Sequence, residues 1–511
     1  MYDKSCQQTY DDLVANHRNV IENRAEEYAQ LTVPSVFPIK GTSESTELTN
    51  DIQSFGAQAV NHLANKLSMT LFGAQRPFFR LKALPAFIEE MAAANIPEDA
   101  LSAMFQKAER EALMEVARMG SQEHFTATLL NLIITGNALL HFPKGTDERA
   151  SVYSIRDYVI KRDLKGFPIL IITKDTKRFD AFPTDVQFKI LNNAPAVPPD
   201  PKREVDLYTK IVWDHTVKKY YTRQYAEGTE ITDRPGIDTV DTLEFVPLVW
   251  KLVRGEDYGR AYIEDYFGDF HTLSTCEQAL TEFIAISAQV KGLVNPAGLT
   301  DVAELNRTPN GQWCSGREED VALLQMNKNN DLQIVEARIA RIEQRLSKAF
   351  LMDSSGIRDA ERVTAEEIRL IARELETSLG GVYTRLAQTF QLPVARLLLQ
   401  RIEFRIDGKS VEPIILTGLD VLSRSGDLDA YRLFVQDASM LMNLDEEVRR
   451  ELDLNGILRF LAANNNLDSQ MAFLTQEEKD ARTEQEQAMQ EQAKQDQMEV
   501  DTAGQRLEQD Q

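Results

Sequence analysis

Four residues, Asp407-Gly408-Lys409-Ser410, end as a phosphate-binding loop ends, with a lysine and a hydroxyl behind a glycine. Such a loop cradles phosphates with its backbone N–H groups, and its first glycine belongs at position 403. This chain has Glu403 there, so the match is a coincidence and no nucleotide site is expected. No Gly-x-Gly-x-x-Gly, His-Glu-x-x-His, Cys-x-x-Cys or Gly-x-Ser-x-Gly occurs. His17, His62, His124, His141, His215 and His271 are scattered, no two within one helical turn, and read as structural histidines rather than metal ligands. Cys6, Cys276 and Cys314 are too few and too dispersed for a disulfide framework or a thiolate zinc site, and fit a reducing compartment. The chain is expected to have no catalytic residue, no metal and no cofactor, and so not to be an enzyme.

Two features remain. Arg338, Arg341, Arg345 and Lys348 recur at spacings of 3, 4 and 3, which puts four cations on one face of a helix. That stripe is either a solvated face, with Glu336 and Glu343 as partial neutralisers, or a local phosphate contact in an otherwise acidic protein. The second feature is the short polar segment that follows, Met352 to Arg362, containing Ser354, Ser355, Arg358 and Arg362. Most segments of this kind are connectors, and some are moving parts.

The elements that must position these residues can be read from apolar spacing. Leu332, Val335, Ile339, Ile342, Leu346 and Phe350 follow one another at 3, 4, 3, 4 and 4, close to a heptad seam beside the basic stripe. A partner helix is expected from Tyr262 to about Val290. A third, long helix opens at the capping box Thr364-Ala365-Glu366-Glu367, runs through Gly380-Gly381, and is kinked or ended by Pro393. Towards the N-terminus, helices are expected at Tyr10–Leu31, at Asp51–Phe72 behind an Asn50 cap, at Leu84–Ala94, at Glu98–Met119 and at Ser121–Leu140. Between 151 and 254 the period changes to that of strands. Asp163-Leu164-Lys165-Gly166 and Asp214-His215-Thr216 mark hairpin turns, and a proline-rich linker occupies 192–203. Shorter helices lie between Asp427 and Leu474. The fold class is α+β, predominantly α-helical.

The chain has 511 residues, 43% hydrophobic and 27% charged, which excludes global disorder and leaves room for several domains. Its most apolar run, Leu129–Phe142, is too short to span a bilayer, and no membrane partner is expected. The polar start, Met1-Tyr2-Asp3-Lys4-Ser5, does not resemble a signal peptide, which points to the cytoplasm of the cell that makes it. With 57 Lys and Arg against 80 Asp and Glu, the net charge is −23, wrong for a protein that coats nucleic acid by bulk attraction. The segment 476–511 supplies 11 acidic and 4 basic residues and 10 glutamines without an aromatic, and reads as a solvated tail.

Several separate motifs, in order along about residues 25–475, resemble the portal, or head-to-tail connector, proteins of short-tailed bacteriophages. They are Thr32-Val33-Pro34-Ser35-Val36-Phe37-Pro38, Leu63-Ala64-Asn65-Lys66-Leu67, Tyr258-Gly259-Arg260-Ala261-Tyr262-Ile263-Glu264 and Gly292-Leu293-Val294-Asn295-Pro296. The strongest are Glu361-Arg362-Val363-Thr364-Ala365-Glu366-Glu367-Ile368-Arg369 and Leu379-Gly380-Gly381-Val382-Tyr383, and Leu416-Thr417-Gly418-Leu419-Asp420 extends the likeness. The acidic tail does not resemble the family's usual C-terminus.

The resemblance implies a ring of about twelve copies around an axial channel at one vertex of the virion head, assembled in the host cytoplasm. It implies a wing over 1–258 and 364–416, stem helices over 259–290 and 331–351, a clip over 291–330, a tunnel loop over 352–363 and a helical crown over 417–475. The partners implied are further copies of the chain, a separate terminase large subunit that drives packaging, the major capsid and scaffolding proteins, tail adaptor proteins, and the double-stranded DNA that enters and leaves. On that reading Arg338, Arg341, Arg345 and Lys348 line the channel, and Ser354, Ser355, Arg358 and Arg362 sit on the tunnel loop. The alternative is a helical scaffold or adaptor of virion assembly without a channel.

Overall fold

The computed structural model describes most of residues 5–415. Residues 1–4, 44, 49–50, 74–77, 84–97, 146–147, 194–199, 201, 288–290, 310, 325–328, 353–370, 372–373, 403, 405–410 and 416–511 lie outside the description. The chain divides into two units, Met1–Thr417 and Gly418–Gln511, and the elements below belong to the first. The expected helix at Leu84–Ala94, the capping box at Thr364, the crown and the tail all fall outside the described residues.

Helix α1 (Cys6–Leu13) opens on a reciprocal cap. The Gln8 N–H donates to Ser5 Oγ at 3.2 Å, and the Ser5 N–H donates to Gln8 Oε1 at 3.3 Å. A π-helical turn, Val14–Arg18, joins it to α2 (Asn19–Gln30). Helix α3 (Phe55–Leu71) starts four residues later than an Asn50 cap would place it. Gln53 organises that start instead, accepting from the Gly56 N–H at 2.7 Å and donating to the Leu31 carbonyl at 2.7 Å. Ala59, Val60, Leu63, Ala64, Leu67 and Leu71 are fully buried, as their spacing requires.

Strand β1 (Phe79–Ala83), which carries no strong sequence signal, is followed by α4 (Glu98–Met119) and α5 (Ser121–Thr135). The helix expected to reach Leu140 ends at Thr135. Gly136 takes φ 76°, and the chain goes straight into β2 (Asn137–His141). The continuous apolar run concealed this boundary, because a buried strand and a buried helix look alike in hydropathy. β2 lies between β3 (Ser151–Tyr153) and β10 (Phe245–Val249) in an antiparallel three-stranded sheet.

Between these strands sits a larger antiparallel sheet, ordered β4 (Tyr158–Arg162), β5 (Pro168–Arg178), β6 (Glu204–Asp214), β7 (Lys219–Ala226) and β8 (Thr229–Glu230), with β9 (Gly236–Asp238) also on β7. The two expected hairpins are present, with Ile160 opposite Ile171 across the first and Trp213 opposite Tyr220 across the second. Helix α1 lies on one face, where Tyr10 meets Tyr208 edge to face. Helix α6 (Thr184–Asn193) contributes Ile190 to a small separate core at the far end of the sheet.

Next come α7 (Phe267–Ser287), entered through a 3-10 turn at Ile263–Tyr266, and β11 (Lys291–Val294). They are followed by α8 (Val302–Arg307), β12 (Val321–Leu324) and α9 (Asn329–Ala349). After α9 the long helix expected over 364–392 is not continuous. Residues 374–379 are helical, Gly380 and Gly381 both adopt the left-handed conformation (φ 58° and 83°), and a new helix, α10 (Val382–Leu386), begins. Glu376 bridges the break, accepting from the Thr384 N–H and hydroxyl. Two consecutive glycines make the left-handed turn nearly free of steric cost. Pro393 does not end the helical run; it stands in the first turn of a new α-helical segment. A π-helical turn at Ala387–Gln391 accommodates the proline's ring and missing donor, and α11 (Leu392–Arg401) follows. Strand β13 (Val411–Ile415) pairs with β1.

One core joins α3, α5, the three-stranded sheet, the adjoining ends of α7 and α9, and α11. Its centre is aromatic: Phe72 stacks on Phe125 at 4.1 Å and meets Phe390 at 4.7 Å. Among the described residues no helix is long and apolar enough to cross a membrane.

Candidate functional site

Helices α7 and α9 run antiparallel, since the last turn of α9 meets the first turn of α7. Phe350 inserts among Tyr262, Tyr266 and Phe270 with ring centroids 5.2, 5.7 and 5.5 Å away, and the Tyr262 hydroxyl donates to the Ala349 carbonyl at 2.7 Å. Ile339, Ile342, Leu346 and Phe350 are buried along the seam, as is Leu273 opposite. Burying each such side chain contributes about 1.5–3 kcal/mol, so the inner half of the pair is firmly held. The outer half is not covered in the single chain. Ile284, Ile286 and Ile334 stand more than half exposed.

Arg338, Arg341, Arg345 and Lys348 are all exposed on one side of α9, away from the seam. Arg345 pairs with Asp269 of α7 at 2.6 Å. Glu336 and Glu343, expected as neutralisers, make no ion pair with the stripe among the described residues. A helical repeat sets them on the opposite flank of the seam. Arg338, Arg341 and Lys348 likewise have no ion-pair partner among the described residues, so three positive charges project into solvent from a protein of net charge −23. Ser354, Ser355, Arg358 and Arg362 fall outside the described residues.

The segment joining the two helices is more ordered than its turn-rich sequence suggests. β11 pairs antiparallel with β12, bringing Lys291 opposite Leu324, so the connection leaves and returns at one place. Asp320, almost fully buried, accepts from the Leu299 N–H and the Thr300 hydroxyl, both at 3.0 Å, and so folds the loop back on the strand pair. Trp313 is fully exposed at the far end.

Sequence reasoning missed a polar cluster at the end of α9. Lys66 on α3 has 1% side-chain exposure and reaches Glu374 at 2.8 Å and the Leu351 carbonyl at 3.3 Å. His62, one turn earlier, donates from Nε2 to that carbonyl at 3.0 Å, and burial pushes its imidazole below the usual pKa range, favouring the neutral donor. The signal that was available is a lysine between Leu63 and Leu67 on an apolar helix, where a long cation is buried only when something pairs with it.

No group of three or more metal-ligating side chains is found among the described residues. What the site offers is a firmly packed helix pair, an arm at its tip and a row of exposed cations.

Comparisons with known proteins agree with this. The profile of the bacteriophage head to tail connecting protein family matches residues 3–472. The portal protein of Enterobacteria phage T3 is 34% identical over 494 residues, covering 94% of this chain and 90% of that protein. The portal protein of Escherichia phage T7 is 33% identical, covering 93% and 89%, and that of Enterobacteria phage SP6 is 31% identical, covering 90% of each. Among solved structures, a chain from the neck of an empty gene transfer agent particle aligns over 79% of this chain and 90% of that one, at 11% identity. The TM-score of that alignment is 0.39. Connectors of this kind are structural parts of the virion, not enzymes. The chain belongs to the bacteriophage head to tail connecting proteins, the portal protein family.

Proposed function

We propose that the chain assembles into a closed ring of about twelve copies at one vertex of the phage head, and that double-stranded DNA passes through the ring's channel during packaging and ejection. The wing faces the head, the β11–α8–β12 arm receives the terminase large subunit and later the tail adaptors, and residues 417–475 form a crown. Major capsid and scaffolding proteins surround the wing as the head assembles in the host cytoplasm.

The observation that carries this reading is the asymmetry of the helix pair. Its seam is buried within one chain, its outer isoleucines are exposed, and in its basic stripe Arg338, Arg341 and Lys348 have no ion-pair partner among the described residues. In a ring the isoleucines have a neighbouring copy to meet. The arginines become belts of charge along the channel, joined by Arg358 and Arg362 where grip on phosphate is wanted. Ser354 and Ser355 sit on the same loop. The remaining acidity of the chain lowers friction, because a channel that attracted phosphates along its whole length would stall the DNA.

Mass measurement with negative-stain imaging of the purified protein tests the ring. Closed rings with a central hole are expected, and monomers or open clusters would favour a channel-free scaffold. The stripe has its own test. Heads built with Arg338→Ala/Arg341→Ala/Lys348→Ala are expected to contain rings of unchanged size and to lose packaged DNA about tenfold faster, with a weaker response to added salt. Retention equal to that of unsubstituted heads removes the stripe from the mechanism.

A further inference from the structure

We propose that Lys66 is a positioning residue. From inside the wing it sets both the point where the chain leaves α9 and the point where the helical residues 374–379 take over. The observation is one buried ammonium that meets a group on each side of residues 353–370. These groups are the Leu351 carbonyl at 3.3 Å and the Glu374 carboxylate at 2.8 Å.

The end of α9 explains why a clamp is needed there. The Met352 N–H reaches back to the Ser347 carbonyl at 2.8 Å and the Leu351 N–H to that of Lys348 at 3.3 Å, a helix stop that requires a left-handed residue. Glycine is the usual occupant. Here it is Leu351, at φ 58° and only 5% exposed. A leucine stays in that region only when its surroundings hold it. Its own side chain is anchored in the core, and its carbonyl, turned out of the helix, accepts from both His62 and Lys66. Lys66 is therefore occupied with the exit from α9 as well as with Glu374. Because Glu374 is one-third exposed and Lys66 is not, the pair also connects the interior of the wing with its surface.

A residue that only filled space in α3 would not couple the two flanks. Lys66 does, so a change at Glu374 must be felt at Leu351. Hydrogen exchange on the full-length ring tests this with Glu374→Gln and Lys66→Met. Each is expected to raise amide exchange about tenfold at 348–352 and 374–379 together, leaving the α5 amides at 129–134 unchanged. If Glu374→Gln leaves 348–352 as protected as before, the proposal is wrong. It is also wrong if Lys66→Met loosens α3 itself as much as the two flanks. Should Lys66→Met fail to fold, Glu374→Gln, at a partly exposed side chain, carries the comparison alone.

The consequence for DNA rests on the conduit reading and is measured separately. Glu374→Gln heads should hold rings of unchanged copy number yet retain DNA less well. Normal retention despite faster exchange would detach Lys66 from the conduit without touching the ring itself.

Discussion

Phe350→Ala is expected to cost the isolated chain about 3–5 kcal/mol of unfolding free energy. Phe350 is completely buried and closes the last turn of α9 against Tyr262, Tyr266 and Phe270 at the start of α7. Truncation removes one aromatic side chain and leaves a void walled by three others. Tyr262 cannot collapse into it freely, because its hydroxyl is tied to the Ala349 carbonyl. Edge-to-face ring pairs add about 0.5–1.5 kcal/mol each beyond the buried area, so the upper part of the range is the better expectation. Urea unfolding of the variant gives the number, and a loss below about 1 kcal/mol would mean the helix junction is held elsewhere. Ile334→Ala is the control. At 68% exposure in the single chain it should change the stability of the isolated chain by less than about 0.5 kcal/mol.

The same helix pair shows what the sequence could and could not reveal. The spacing of Ile339, Ile342, Leu346 and Phe350 names the buried face of α9 without a structure, and the arginine spacing names its exposed side. Periodicity reports which face a residue occupies, and for these residues that was enough. It does not report what lies opposite. That the carboxylate neutralising Arg345 is Asp269 of another helix, rather than Glu343 two residues away, depends on tertiary packing. Lys66 illustrates the limit more sharply: Leu351 and Glu374 are 285 and 308 residues distant along the chain, beyond any local pattern. Boundaries failed where a local conformation overrode composition, at Gly136, where a strand follows a helix inside one apolar run, and at Gly380-Gly381, where helical propensity continues across a break.

Net charge misleads for a related reason. A value of −23 is a sum over the chain, whereas a passing phosphate meets only the few side chains within about 8–10 Å of it, one screening length. Arg338, Arg341 and Lys348 are exposed on one helix face with no carboxylate paired to them among the described residues. Their local field is therefore positive whatever the total. On the conduit reading proposed above, the chain repels nucleic acid on average and holds it at a chosen level.

Gly136→Ala should lower stability by about 3–5 kcal/mol, a larger effect than its small change in volume suggests. Two backbones touch at this residue. A Cβ on Gly136 would lie 2.5 Å from the Arg260 carbonyl carbon, and one on Gly259 would lie 2.7 Å from the Gly136 carbonyl oxygen. Asn137 secures the contact, accepting from the Gly259 N–H at 2.7 Å and donating to its carbonyl at 3.0 Å. This is where the end of α5 meets the segment that leads into α7, and the Tyr262 N–H continues it by donating to the Ile133 carbonyl. Alanine at position 136 first meets the cost of φ 76°, about 1–2 kcal/mol for a side chain in the left-handed region. It must then push the Arg260 backbone away, stretching two buried hydrogen bonds worth about 1 kcal/mol each. Gly228→Ala separates these contributions, because Gly228 has φ 77° but nothing within 4 Å of an added Cβ, so it should show only the first cost. Gly136→Ala/Gly259→Ala should cost well below the sum of the single variants, since both open the same contact. Equal losses at Gly136 and Gly228 would show that conformation alone, and not the close approach of α5 to the segment leading into α7, demands glycine at this joint.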